Sequence, residues 1–148
     1  SIAENAVDSL EVAATALGVE VTVDGTDAPI RAIPQLIYSI VYNLCDNAIK
    51  YNHCGGNVNI RVHQTLYNAV LSVKDTGIGI PEESRERIFE RFYRVDKSRS
   101  KEVGGTGLGL SIVKHAVMIH NGKIEVKSEL GEGTEMIVTI PNKQDINL

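Results

Sequence analysis

The stretch IPQLIYSIVYNLCDNAIKY, residues 33–51, reads as a helix with one apolar face and an unusual rim. Ile33, Ile37, Val41, Leu44 and Ala48 recur at helical spacing, and Pro34 suits a first turn, where a missing N–H costs nothing. Asn43, Asn47 and Lys50 fall within a sector of ~60° at 3.6 residues per turn, beside the apolar face rather than opposite it. Asparagine is a mediocre helix former because its amide competes with the backbone. Two of them, four residues apart, are either solvated surface or polar groups held at the edge of a core.

Working outward, Ile2, Ala6, Leu10, Ala13 and Leu17 predict an opening amphipathic helix stopped by Gly18. Its start at Ser1 is expected to be the edge of a longer parent. Val19, Val21 and Val23 alternate up to Asp24-Gly25, a hairpin signal, with a short return strand expected through Ile30. Downstream, Val58, Ile60 and Val62 pair across a Tyr67-Asn68 turn with a strand through Val70 and Val73 that runs into Asp75. A charged stretch, 82–102, separates it from a helix predicted over about 108–120 with Leu108, Ile112, Ala116 and Ile119 inward. A last hairpin, 124–128 and 136–140, turns around Gly131-Glu132-Gly133. Helices and antiparallel hairpins in this order predict an α+β fold: a two-layer α/β sandwich, with helices on one face of a mixed, mostly antiparallel sheet.

At 148 residues and 43% hydrophobic, the chain suits one domain spanning 1–148. A net charge of −4 with no basic tract argues against a nucleic-acid or anionic-membrane surface. Cys45 and Cys54 are too few and wrongly spaced for a disulfide framework or a zinc site and read as reduced thiols. No apolar run approaches the ~20 residues that span a bilayer.

Two glycine clusters give the rim of the 33–51 helix a possible ligand. Asp75-Thr76-Gly77-Ile78-Gly79-Ile80 places an acid at a strand end, before a backbone able to turn tightly. Gly104-Gly105-Thr106-Gly107-Leu108-Gly109-Leu110 opens a helix, where unpaired N–H groups and the helix dipole favour phosphate. It is neither a Walker loop nor a dinucleotide fingerprint, since no Gly-Lys-Ser/Thr follows and no strand precedes. Each cluster by itself is equally consistent with ordinary turn chemistry.

Together these residues resemble the sensor histidine kinases over about 33–141. Asn43 to Tyr51 looks like their N box, Asp75 to Ile80 the first glycine box, Ile88 to Arg94 the F box and Gly105 to Leu110 the second glycine box, while Gly131 to Thr134 is similar to the third. That family has the Bergerat nucleotide-binding fold of the wider GHKL group, and the pattern here is nearest the phosphate-regulon sensors. The resemblance implies ATP and Mg²⁺ as cofactors, with Asp75 accepting from the adenine amino group, Asn47 as the metal ligand, Lys50 near phosphate and Tyr51 lining the base or ribose. Gly77, Gly79, Ile80, Gly105, Thr106, Gly107, Leu108, Gly109, Leu110 and Thr134 complete the implied nucleotide site, with an ATP lid over about 76–106. Hydrolytic branches of the group place a glutamate four residues before the metal asparagine. Here Asn43 stands there, and an amide cannot accept water's proton, which favours phosphotransfer.

The 82–102 stretch holds seven basic and six acidic residues and both phenylalanines, Phe89 and Phe92, which either pin it to the core or face a partner. Arg94 is the basic residue selected for the γ-phosphate. None of His53, His63, His115 or His120 stands in the family's phosphoacceptor setting, and His120, near a helix C-terminus, is expected to favour the imidazolium. The implied acceptor is therefore a histidine on a separate dimerisation domain, with a response regulator receiver domain next. The parent is expected to be anchored in the bacterial inner membrane with this domain in the cytoplasm, free of direct membrane contact. The rivals are a GHKL ATPase or anti-sigma serine kinase, disfavoured by Asn43, and a non-enzymatic nucleotide-binding scaffold, disfavoured because Asn47, Asp75 and the glycines are all present.

Overall fold

A computed structural model describes residues 1–26, 28–95 and 107–142. Helix α1 (Ile2–Leu17) is capped at its start by the Ser1 hydroxyl, which accepts from the Glu4 amide at 3.2 Å. It ends at Gly18, whose φ of 70° lets its amide return to the last turn. Strand β1 (Glu20–Gly25) follows, then helix α2 (Pro34–Lys50), strands β2 (Asn57–Gln64) and β3 (Asn68–Asp75), a 3-10 turn (Glu82–Ser84), helix α3 (Gly109–Ile119), and strands β4 (Lys123–Glu129) and β5 (Gly133–Pro141).

The five strands lie in the order β1-β2-β3-β5-β4, and every pairing is antiparallel except β1 with β2. That exception corrects the hairpin expected at Asp24-Gly25. Parallel neighbours need a long crossover, and α2 supplies it. Gly25, at φ 115°, has no room for a side chain against the Val62 carbonyl, and Thr26 continues the pairing by donating to that carbonyl at 2.9 Å. The glycine here serves close strand approach rather than reversal. No return strand forms among the described residues up to Pro34.

Val58 and Ile60 of β2, Val73 of β3 and Val138 of β5 are buried against Val41, Leu44 and Ala48 of α2, with α1 and α3 flanking it. The helices thus cover one face of a mixed sheet, as the α+β sandwich requires. The inward face of α3 is rotated from expectation: Val113, Ala116 and Val117 are buried, while Ile112 is 46% exposed. The reason is His120, which is fully buried and completes an i, i+3, i+4, i+7 stripe with those three. Its Nδ1 lies 2.8 Å from the Ala116 carbonyl, and its Nε2 accepts from the Ile33 amide at 3.0 Å. A ring that accepts at one nitrogen is neutral, so the imidazolium expected for His120 is not the form this structure holds. The bond satisfies an amide at the start of α2 that has no side-chain cap of its own. No helix among the described residues is long and apolar enough to cross a membrane.

Candidate nucleotide-binding site

The strand end at Asp75 organises the site. Its Oδ1 accepts from the Gly77 amide at 2.9 Å and the Thr134 amide at 3.1 Å, joining the turn after β3 to the start of β5. Burial pushes the carboxyl above the usual carboxylate range, and those two backbone donors oppose the shift. Glycine is required at 77 because a β-carbon would strike the Tyr51 carbonyl, which accepts from Ile78 at 3.1 Å. Gly79, at φ 76°, presses on the Glu129 carbonyl, and Ile78 in turn accepts from the Gly131 amide at 2.9 Å. The first glycine turn is thus clamped between the end of α2 and the β4–β5 turn.

Asn47, Tyr51, Asp75 and Thr134 line one recess of about 90 Å³, together with Gly79, Ile80, Arg94 and Leu110. Residues from α2, the end of β3, the first glycine turn, the charged stretch, α3 and the start of β5 therefore meet at one place. Ile78, Ile88, Tyr93 and Val95 also line it and were not singled out. Tyr93 is fixed by its hydroxyl against Ser84 at 2.8 Å and by the Arg87 guanidinium 4.4 Å over its ring. A larger groove of about 640 Å³ lies at the other end of the sheet, between the start of α1 and residues 28–34, and takes in none of the selected site residues.

Among the described residues, the other selected ones do not line the recess. Lys50 forms an ion pair with Asp46 one turn back, at 3.1 Å, which holds its ammonium on the α2 rim. Asn43 donates from Nδ2 to the Ser39 carbonyl at 2.7 Å, and its Oδ1 lies 3.1 Å from where a β-carbon on Gly109 would sit. Gly109 thus lets the start of α3 approach Asn43. That helix begins at Leu108 without a side-chain cap. Gly107, at φ 77°, packs on Phe92. Gly105 and Thr106 lie outside the described residues.

The structure divides the two phenylalanines. Phe89 packs against the core with the Lys114 ammonium 5.9 Å over its ring, whereas Phe92 is 63% exposed. Ser128 was not singled out in the sequence, although alternation sets it on the same face of β4 as Ile124 and Val126. Its hydroxyl accepts from the Ile80 amide at 2.7 Å and touches the Thr134 hydroxyl at 2.8 Å. Asn52 was missed too: it is buried and ties the loop after α2 to the Asn57 carbonyl at 3.0 Å.

The profile of the histidine kinase-, DNA gyrase B- and HSP90-like ATPases matches residues 32–144, taking in every selected residue. The chain belongs to that family. Its similarity is to the histidine kinase branch. It is 42% identical to the sensor-like histidine kinase SenX3 of Mycolicibacterium smegmatis over 98% of this chain, which spans only 38% of that protein. The mycobacterial sensor histidine kinase MprB superposes with a TM-score of 0.86 at 30% identity, covering 97% of this chain and 95% of that one. Full-length ShkA, solved in complex with AMPPNP, superposes with a TM-score of 0.81 at 27% identity over 99% of this chain and 31% of its own. Helix α1 lies outside the matched family region, yet Ala3, Ala6 and Leu10 are part of the same core.

Proposed function

We propose that this chain binds ATP in the recess beside Asp75 and passes the γ-phosphoryl group to a histidine on the dimerisation domain of its own kinase, for relay to a response regulator receiver domain. Adenine sits against Asp75 and Thr134, and Tyr51 lines the base or ribose. The phosphates run toward the start of α3, where backbone N–H groups of the Gly107–Leu110 turn and the helix dipole stabilise negative charge. The ShkA complex with an ATP analogue supports this placement by similarity. Lys50 and Arg94 supply positive charge from two sides.

Mg²⁺ fits the donor set at Asn47, since this ion asks the protein for one or two oxygens and takes the rest from phosphates and water. When bound it neutralises charge on the transferring phosphates. Asn47 contributes one amide oxygen from a helix held rigidly on the core.

The observation that carries transfer over hydrolysis is Asn43. It occupies the position from which a general base would act on water, but it is an amide, and its NH₂ is committed to Ser39. Catalysis here is positioning and charge stabilisation, with the nucleophile supplied by the partner. The domain is placed on the cytoplasmic side of a parent anchored in the bacterial inner membrane. Incubation with γ-labelled ATP, Mg²⁺ and a histidine-kinase dimerisation domain is expected to yield acid-labile phosphate on that domain's histidine. Acid-stable phosphoserine would point instead to a serine-directed kinase.

A further inference from the structure

Ser128 stands behind the recess, and the count of protons around its hydroxyl fixes what its neighbour Thr134 offers a ligand. The Ile80 amide donates to Ser128 Oγ at 2.7 Å. Ser128 Oγ donates to the Gly133 carbonyl at 3.0 Å, and Thr134 Oγ1 lies 2.8 Å away. A hydroxyl has one proton and two lone pairs. The Gly133 carbonyl can only accept, so it takes the Ser128 proton, and the contact with Thr134 is closed by the proton of Thr134. Ser128 is then saturated, with one proton given and two received. Thr134, buried and lining the recess, has spent its only hydroxyl proton and faces a ligand as an acceptor. The Arg85 guanidinium, donating to the Ser128 carbonyl, holds the strand end that carries this arrangement.

Resting on the nucleotide-binding reading above, we propose that Ser128 is a specificity-determining positioning residue. By taking the Thr134 proton it makes Thr134 an acceptor beside the carboxylate of Asp75, so the recess presents two acceptors to the base. A purine that brings an amino group to that wall, adenine, is matched directly or through one water. Where both acceptors face the 6-position, a purine with a 6-carbonyl, guanine or hypoxanthine, meets lone pair against lone pair, while the two N–H protons of the adenine amino group serve both. A buried mismatch of this kind is how hydrogen-bonding sites reject close analogues. Without Ser128 the Thr134 hydroxyl is free to turn and donate, and that rejection weakens.

The test is the ratio of ATP to GTP affinity, by calorimetry, in wild type, Ser128→Ala, Thr134→Val and the double variant, with inosine triphosphate as a third ligand. Ser128→Ala is expected to narrow the ATP preference on the order of tenfold, the scale of one hydrogen bond to a buried group. In the Thr134→Val background the same change is expected to leave the ratio as it is in Thr134→Val alone, whatever it does to thermal stability. Ser128→Cys, nearly isosteric but a weak hydrogen-bonding group, repeats the comparison if the alanine variant does not fold. An unchanged ratio in Ser128→Ala, or an equal change with and without the Thr134 hydroxyl, would overturn the proposal while leaving ATP binding intact. A wild-type domain that binds no ATP would overturn the nucleotide reading itself.

Discussion

The backbone amide of Phe92 donates to the Gly107 carbonyl at 2.7 Å, tying the middle of the charged stretch to the turn that starts α3. Both residues have positive φ, 66° and 77°, and a β-carbon on Gly107 would lie 2.8 Å from Phe92 Cα. Gly107→Ala therefore combines backbone strain with a clash, and a destabilisation of about 1–3 kcal/mol is expected, with weaker ATP binding because the start of α3 is displaced. Phe92→Gly removes strain at a left-handed position. Thermal unfolding of the two variants should move in opposite directions; two parallel losses would mean that the Phe92 ring is needed for packing.

Asp75→Asn is expected to separate stability from function. The folded state holds the Asp75 proton more tightly than the unfolded chain does, because burial disfavours the carboxylate. Its contribution to stability is thus fully present below the unfolded carboxylate value, ~3.9, and is lost as pH rises through the raised folded value. Above that value the ionised group is a standing cost, which the neutral amide avoids while still accepting from Gly77 and Thr134. The ligand-free variant should melt no lower than wild type at neutral pH, yet bind ATP more weakly by about 1.5–3 kcal/mol. Calorimetry and melting curves on one preparation check both halves; an unaltered ATP affinity would take Asp75 out of the base site.

His120 links the C-terminal end of α3 to the start of α2, ten residues before Asn43. His120→Phe leaves the part-buried Ile33 amide without its acceptor, and a loss of about 1–3 kcal/mol is expected. His120→Gln, which can present an oxygen near Nε2, should recover part of it. Chemical denaturation compares the two; equal losses would assign the effect to ring packing alone.

Asn47→Ala is expected to weaken nucleotide binding only when Mg²⁺ is present, since it removes one metal oxygen and leaves the Asp75 wall untouched. Titration with and without the metal decides this. An equal loss in both would indicate a damaged α2.

The thiols differ in environment. Cys45 is fully buried, and desolvation, aided by the charge of Asp46, pushes its pKa up to about 12, whereas Cys54 is exposed. A disulfide-exchange reagent should label one thiol in the native domain and two after denaturation, because the thiolate is the reacting form. Two fast equivalents in native buffer would contradict the burial of Cys45.

Much of this was legible in the sequence because hydrophobic period and glycine placement are local. Residues 33–51 announced α2, and Asp75 before two glycines marked the strand end that anchors the site. What was not legible depended on partners far along the chain. Asp24-Gly25 has the chemistry of a tight turn, and only the parallel neighbour β2 shows that its glycine is needed for close approach to Val62. The face of α3 differs from the expected one by about one position because the apolar pattern leaves out His120, which the Ile33 amide makes a satisfied core residue. Alternation placed Ser128 on the inward face with Ile124 and Val126, but its role exists only through Ile80, Gly133 and Thr134.

ATP consumption by the isolated chain, followed beside phosphate appearing on an added dimerisation domain, tests the central claim most directly. With an amide at position 43 and a nucleophile required from outside, the chain alone should bind ATP and consume it very slowly, and the partner should gain phosphohistidine only when both proteins and Mg²⁺ are present. Turnover near ~1 s⁻¹ by the chain alone, within the usual range of working enzymes, would contradict the account and favour a hydrolytic ATPase.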